Sequence, residues 1–209
     1  MGLLGDKKVR EIAILCSAAG VLRRGVLSYG IMPDEFWLHS IATAISARLL
    51  AEIFAPEMCD EAFTAGLLHD IGKLAINRMI EEEHKETIRD TGDGPSPDYY
   101  SREMGLYGFD HCTIGFFLAR NWNFSEEMTQ AIAFHHYPDQ ESQHQNLIRI
   151  ICTADFVAHL VASGEDEARM VEILGKEGMV PLVLSRPDIE KIISTLKKET
   201  SDSEAFLGI

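Results

Sequence analysis

The chain has 209 residues and a formal net charge of −14; 46% of it is hydrophobic and 25% charged. That apolar share is enough for one substantial buried core and excludes disorder along the whole chain. The acidic balance argues against a duplex nucleic-acid binder, whose nonspecific affinity comes from Lys and Arg neutralising phosphates. It leaves room for a small anionic ligand held through bound cations.

Apolar residues recur at helical spacing and no strand alternation persists, so the expected fold is all-α: a single compact helical bundle with a small C-terminal helical extension. A first helix is expected over 6–24. Its apolar run from Ile12 to Leu22, with basic flanks, imitates a signal peptide. The run is too short to span a bilayer, which takes roughly 20 residues. Glu11 adjoins it and no small-residue cleavage site follows, so it reads as a buried helix. Pro33 and Asp34 open a second helix that stops before Pro56. A third, "EAFTAGLLHDIGKLAINRMI" from Asp60, is expected to break near Gly72. "TGDGPSPDYY" is the clearest loop, dense in Gly, Pro and Asp. Asp110 then caps "HCTIGFFLARNW" and Ser125 caps "EEMTQAIAFHH". "LIRIICTADFVAHLVA" is a further helix, and two acidic helices near 165–177 and 187–199 precede a polar tail expected to fray. The domain reading is an N-terminal helix in 1–30, a core in 31–162 and an extension in 163–209. Four scattered cysteines without a C-x-x-C pair read as reduced thiols, and a cytoplasmic, membrane-free protein is expected. Phe36, Trp37 and Phe63, and likewise Phe116, Phe117 and Trp122, read as core residues. Arg23–Arg24 reads as a charge pair at a helix C-terminus.

Ionisable residues interrupt or border the apolar helix faces: His39, His69, Asp70, His111, His135, His136 and Asp155. Taken singly, each reads as a hydrogen-bonded core or surface residue, and His135–His136 as cations at a helix end. Taken together they would need several independent buried partners, because an unpaired buried charge is costly. Imidazole with carboxylate is the donor mix that suits borderline divalent metals, and helical bundles build such sites from inward-pointing residues. A divalent cation (Fe, Mn, Zn or Ni) is therefore expected. His84, His144 and His159 fall outside the set.

His39, His69–Asp70 and Asp155 together resemble the H…HD…D pattern of the HD superfamily of metal-dependent phosphohydrolases. The fuller resemblance is to its HDOD branch, a bacterial signalling-output domain. It is carried by "FWLHS" (36–40), "EAFTAGLLHDIGKLA" (61–75), "YGFDHCTIGFFLARNW" (107–122) and "AIAFHH" (131–136), in the family's order. The resemblance implies an HD-type bundle in which His39, His69, Asp70 and Asp155 hold a first metal. It also implies that His111, His135 and His136 complete a second, with Asp70 bridging, as in HD-GYP phosphodiesterases. Lys73 would balance phosphate charge, making Asp70 and Lys73 the catalytic pair. Glu35, one turn before His39, is either a further ligand or an exposed residue. The Gly-Tyr-Pro segment of HD-GYP proteins is replaced by "YPDQESQ", so generic phosphoester chemistry is favoured over cyclic-dinucleotide hydrolysis.

Two readings follow. In the first, bound cations polarise a phosphoryl oxygen and activate water on a nucleotide or other small phosphorylated ligand, and Asp70→Ala removes activity without loss of fold. In the second, a non-catalytic regulatory or protein-interaction module uses a structural or sensing metal and delivers output through signalling partners.

Overall fold

The computed structural model describes residues 6–83, 87–88, 99–139, 142–176 and 178–207, with side chains from 13 to 201. The helices are α1 (Asp6–Leu22), α2 (Pro33–Phe54), α3 (Cys59–Leu68), α4 (Ile71–Glu83), α5 (Tyr99–Tyr107), α6 (His111–Asn121), α7 (Glu126–Phe134), α8 (Gln145–Ala162), α9 (Glu167–Leu174) and α10 (Arg186–Leu207). Among the described residues the β-pairing is an isolated bridge between Val26 and Ile31. No helix is long and apolar enough to cross a membrane.

The central helix is α2. Its residues from Ser40 to Ala51 are buried on every side, and it packs against α3, α8, α10 and α1. A helix apolar all round has to be enclosed in this way, and its alanines let neighbours approach closely. The start of α2 follows from local chemistry. Pro33 occupies the first turn, where no backbone donor is needed, and the Met32 N–H donates to Glu35 Oε2 at 2.8 Å. The caps expected at α6 and α7 form: Asp110 accepts from the Thr113 N–H and Ser125 from the Met128 N–H.

Several expectations need correction. The apolar run of α1 is not a buried helix: of its described side chains only Leu22 is buried, because one face alone lies on α2 and α3. The break expected near Gly72 does form, at His69–Asp70, with Gly72 itself in the first turn of α4. The polar C-terminal tail continues as helix to Leu207, in a helix whose Glu199 takes both hydrogen bonds of the largely buried Arg48 NH2 group at 2.9 Å. Phe117 and Trp122 are 62% and 47% exposed, on the outer side of α6. Most of the "TGDGPSPDYY" loop and His84 lie outside the described residues; its last two residues open α5, a helix the apolar spacing did not signal.

Gly72 explains how the site can form. A Cβ built there would stand 2.0 Å from the His111 carbonyl oxygen and 3.0 Å from the Gly115 nitrogen. The first turns of α4 and α6 therefore meet backbone to backbone, which brings His111 beside Asp70. Gly72→Ala is expected to destabilise the chain by at least the ~1–3 kcal/mol of ordinary overpacking, read from the urea midpoint. A variant as stable as the parent would contradict this packing.

Candidate metal centre

Seven of the expected residues converge from α2, α6, α8 and the ends of α3 and α7. His69 and Asp70 occupy the two-residue gap between α3 and α4, so a helix end rather than a helix face aims them inward. Asp70 divides the cluster. Its Oδ2 lies 3.4 Å from His69 Nε2 and 3.8 Å from His39 Nε2. Its Oδ1 lies 3.3 Å from His111 Nε2 and 3.8 Å from His135 Nε2. On the Oδ2 side, His39 Nε2 is 3.3 Å from His69 Nε2 and 3.1 Å from Asp155 Oδ1. On the Oδ1 side, His136 Nε2 is 3.2 Å from His111 Nε2. Donors about 2.0–2.2 Å from a shared ion lie about 3–3.5 Å apart, and many of these separations match.

The donor chemistry fits a cation too. Asp70 Oδ1 and Asp155 Oδ1 are buried without a hydrogen-bond partner, although imidazole nitrogens lie 3.1–3.3 Å away. Groups placed so close yet misaligned for one another are pointed at a common centre. Three rings are held with Nε2 turned inward. The Nδ1–H of His69 donates to the Gly66 carbonyl at 2.7 Å, that of His135 to the Ile132 carbonyl at 2.8 Å, and that of His111 to Glu103 Oε2 at 2.8 Å. Such outer bonds fix the tautomer and leave the inner nitrogen a free lone pair.

Electrostatics follow the same division. Burial alone would raise the Asp70 and Asp155 pKa values. For Asp70 the Lys73 ammonium and the rings of His69 and His111 overcome it, and for Asp155 the rings of His159, His39 and His69 do, so both stay well below the usual carboxylate range. Burial and the neighbouring rings push His135 well down and His136 to about 3. Burial would lower His69 too, but Asp70 and Asp155 raise it. With metal removed by a chelator, stability is expected to fall on acidification. His136, ordinarily near 6.5, and His159, lowered to about 4 by burial and His39, contribute stability that is complete above pH 6.5 and lost towards the folded values. The two aspartates extend the loss below about pH 3.8. His69 has the opposite sign, its contribution being present below pH 6.5 and lost as pH rises through its raised value. Urea midpoints measured from pH 7.5 to 4 check the net slope; a rise on acidification would contradict it.

Two other expected residues take particular positions. Lys73 is buried, with Nζ 2.6 Å from Asp70 Oδ2 and 5.1 Å from the Tyr99 ring centroid. Glu35 is exposed and accepts the Met32 N–H, apart from the groups of side chains close enough to share an ion. Residues outside the expected set surround the centre, among them His159, which the sequence reading sets apart. Glu103 on α5 is fully buried and accepts from the Tyr29 hydroxyl at 2.7 Å and the His111 backbone N–H at 2.6 Å, besides the His111 ring. The Tyr100 ring stacks on His136 at 5.1 Å. His159 Nε2 lies 3.3 Å from Asp155 Oδ1, and its ring lies 4.3 Å from that of His39. Its place one helical turn after Asp155 was a usable signal. Cys112 Sγ stands 3.8 Å from His135 Nδ1, and burial drives its thiol pKa well up.

An all-α bundle that gathers five histidines and Asp155 around the central carboxylate of Asp70 defines the class: a helical domain with a candidate metal centre. The HDOD domain profile matches residues 1–138, and the chain belongs to that family. The match ends before Asp155 and His159. The chain is similar in fold to three solved structures. A "putative phosphohydrolase" from Shewanella amazonensis SB2B has a TM-score of 0.68 at 21% identity, over 94% of this chain and 71% of that one. An "HDOD domain protein with unknown function" from Geobacter sulfurreducens has a TM-score of 0.61 at 23% identity, over 97% and 70%. A "putative signal transduction protein" from Marinobacter aquaeolei VT8 has a TM-score of 0.65 at 20% identity, over 99% of this chain and 45% of that one. No curated protein matches the chain.

Proposed function

We propose that this HDOD domain is a metal-dependent phosphohydrolase acting on phosphoesters. His39, His69, Asp70 and Asp155 would hold one divalent ion, and His111, His135 and His136, with Asp70 shared, a second. The observation that carries this reading is the division of Asp70, with Oδ2 toward His39 and His69 and Oδ1 toward His111 and His135. Divalent ions in such a pair supply Lewis acidity toward a phosphoryl oxygen and lower the pKa of water near it. The chain's own residues do the rest. Asp70 keeps the two donor sets in register. The inward Nε2 atoms keep the site from accumulating excess negative charge. Lys73, beside Asp70 at the floor of an open cavity, offsets the charge of an incoming phosphate. The phosphohydrolase description of the Shewanella protein agrees with this reading.

The test is elemental analysis of protein purified without a chelating tag or EDTA, followed by a phosphoester screen. Stoichiometric divalent metal, and turnover that EDTA abolishes, are expected. Protein that neither contains nor takes up metal would sink the proposal.

A second reading, a regulatory module with a structural or sensing metal, is favoured by one observation: Lys73 already neutralises Asp70 Oδ2. The signal-transduction description of the Marinobacter protein is in keeping with it. It predicts stoichiometric metal whose removal lowers stability, with no phosphoester turned over.

A further inference from the structure

The cavity that opens over the Oδ2 side of the centre is divided in chemistry. It encloses about 540 Å³, within the ~300–1,000 Å³ usual for small-molecule sites. Its floor carries His39, Asp70, Lys73 and His159. Its walls are Ile31, Leu38, Ala42, Val161 and Ala162, with the Tyr99 ring beside Lys73. A phosphate at the floor would leave most of this volume to whatever the phosphate is attached to.

The lining restricts that substituent. Lys73 is the sole Lys or Arg among the described lining residues, and Glu35 stands exposed among them. Among the described lining residues a second or third phosphate would therefore meet no further Lys or Arg and one carboxylate. Two polar wall groups are already engaged in part: Glu35 Oε2 accepts the Met32 N–H, and the Thr200 hydroxyl donates to the Leu196 carbonyl at 2.8 Å. A nucleobase edge buried against the apolar walls of Ile31, Leu38, Ala42, Val161 and Ala162 would lose hydrogen bonds to water, whereas an aromatic or alkyl group would bury apolar surface without that loss.

We infer that the cavity selects a monophosphate ester of an apolar, aryl or alkyl, alcohol rather than a nucleotide. This rests on the phosphoester reading above and names its substrate class. Much of the selecting wall, including Val161, Ala162 and Thr200, lies beyond the segment that matches the family profile. α8 and α10 thus share the selecting wall with Ile31, Leu38, Ala42 and Tyr99.

Calorimetric titration of the full chain, loaded with manganese, tests the inference with three probes that are not hydrolysed. These are inorganic phosphate, 1-naphthylmethylphosphonate and the 5′-phosphonate analogue of adenosine monophosphate. The naphthyl probe is expected to bind about tenfold tighter than either of the others, from the apolar area it buries. Ala162→Trp, an exposed substitution that fills the wall, is expected to bring its affinity down to that of inorganic phosphate. Leu38→Asn, on a half-buried wall position, should act in the same direction. Equal affinity for the three probes, or preference for the nucleoside, overturns the inference while phosphate binding upholds the reading beneath it. Failure of the metal-loaded chain to bind any of them overturns both.

Discussion

Asp70→Asn is expected to cost the chain both halves of its metal centre at once. Each carboxylate oxygen faces a different donor set, Oδ2 toward His39 and His69 and Oδ1 toward His111 and His135. An amide offers one neutral oxygen, and its NH2 would face imidazole lone pairs or a cation. Metal affinity should fall by more than the ~10–100-fold that loss of an outer partner costs, and any metal-dependent turnover with it. Asparagine is the informative substitution; alanine is not. The sequence alone predicts that Asp70→Ala spares the fold, but Lys73 and Asp70 are both buried and 2.6 Å apart. Alanine would strand a buried ammonium at a cost on the order of 3–5 kcal/mol. Asparagine still offers Lys73 an acceptor. Metal titration and urea unfolding of the two variants separate these effects. Undiminished metal binding by Asp70→Asn would remove Asp70 from the centre.

The second large effect is expected at Glu103, eight residues before His111 and in no recognisable motif. Glu103→Ala would leave the Tyr29 hydroxyl, the His111 backbone N–H and the His111 ring N–H buried without their acceptor. Each such orphan costs ~1–3 kcal/mol, so a loss of at least ~3 kcal/mol is expected. Glu103→Gln separates support of the fold from support of the metal. It preserves volume but weakens the acceptor that keeps the His111 proton on Nδ1. Metal affinity should then fall ~10–100-fold, measured by competition with a fluorescent chelator. If the glutamine variant loses stability but binds metal as the parent does, Glu103 holds up the fold and nothing more.

These two positions show where the sequence was readable. Asp70 was legible because it sits in an apolar helical pattern that an ionisable pair cuts short, and because His39, His111, His135, His136 and Asp155 repeat that interruption on other helices. The all-α fold was legible for the same reason, through helical periodicity and the caps at Asp110 and Ser125. Glu103 was not, because a carboxylate on a short amphipathic helix reads as a solvated one. Its burial is decided by α6, which α5 meets only in the folded chain. The exposure of Phe117 and Trp122 is likewise a fact of packing: helical spacing says which residues share a face, not whether a neighbour covers it. The break at His69–Asp70 was blurred because His69 keeps helical geometry, with φ −54° and ψ −38°.

The order of the donors along the chain has a consequence for how the centre is assembled. Asp70, His111, His135 and His136 all precede Asp155, which α8 supplies last. On the ribosome, the donor set around Asp70 Oδ1 is fully synthesised while Asp155 has still to be added. That set lies within the segment matching the family profile, residues 1–138, which also holds His39 and His69. The two donor sets are therefore completed at different moments. The His111 side of the candidate centre thus has all its donors before α8 is added, whereas the His39 side has His39, His69 and Asp70 and waits for Asp155 alone.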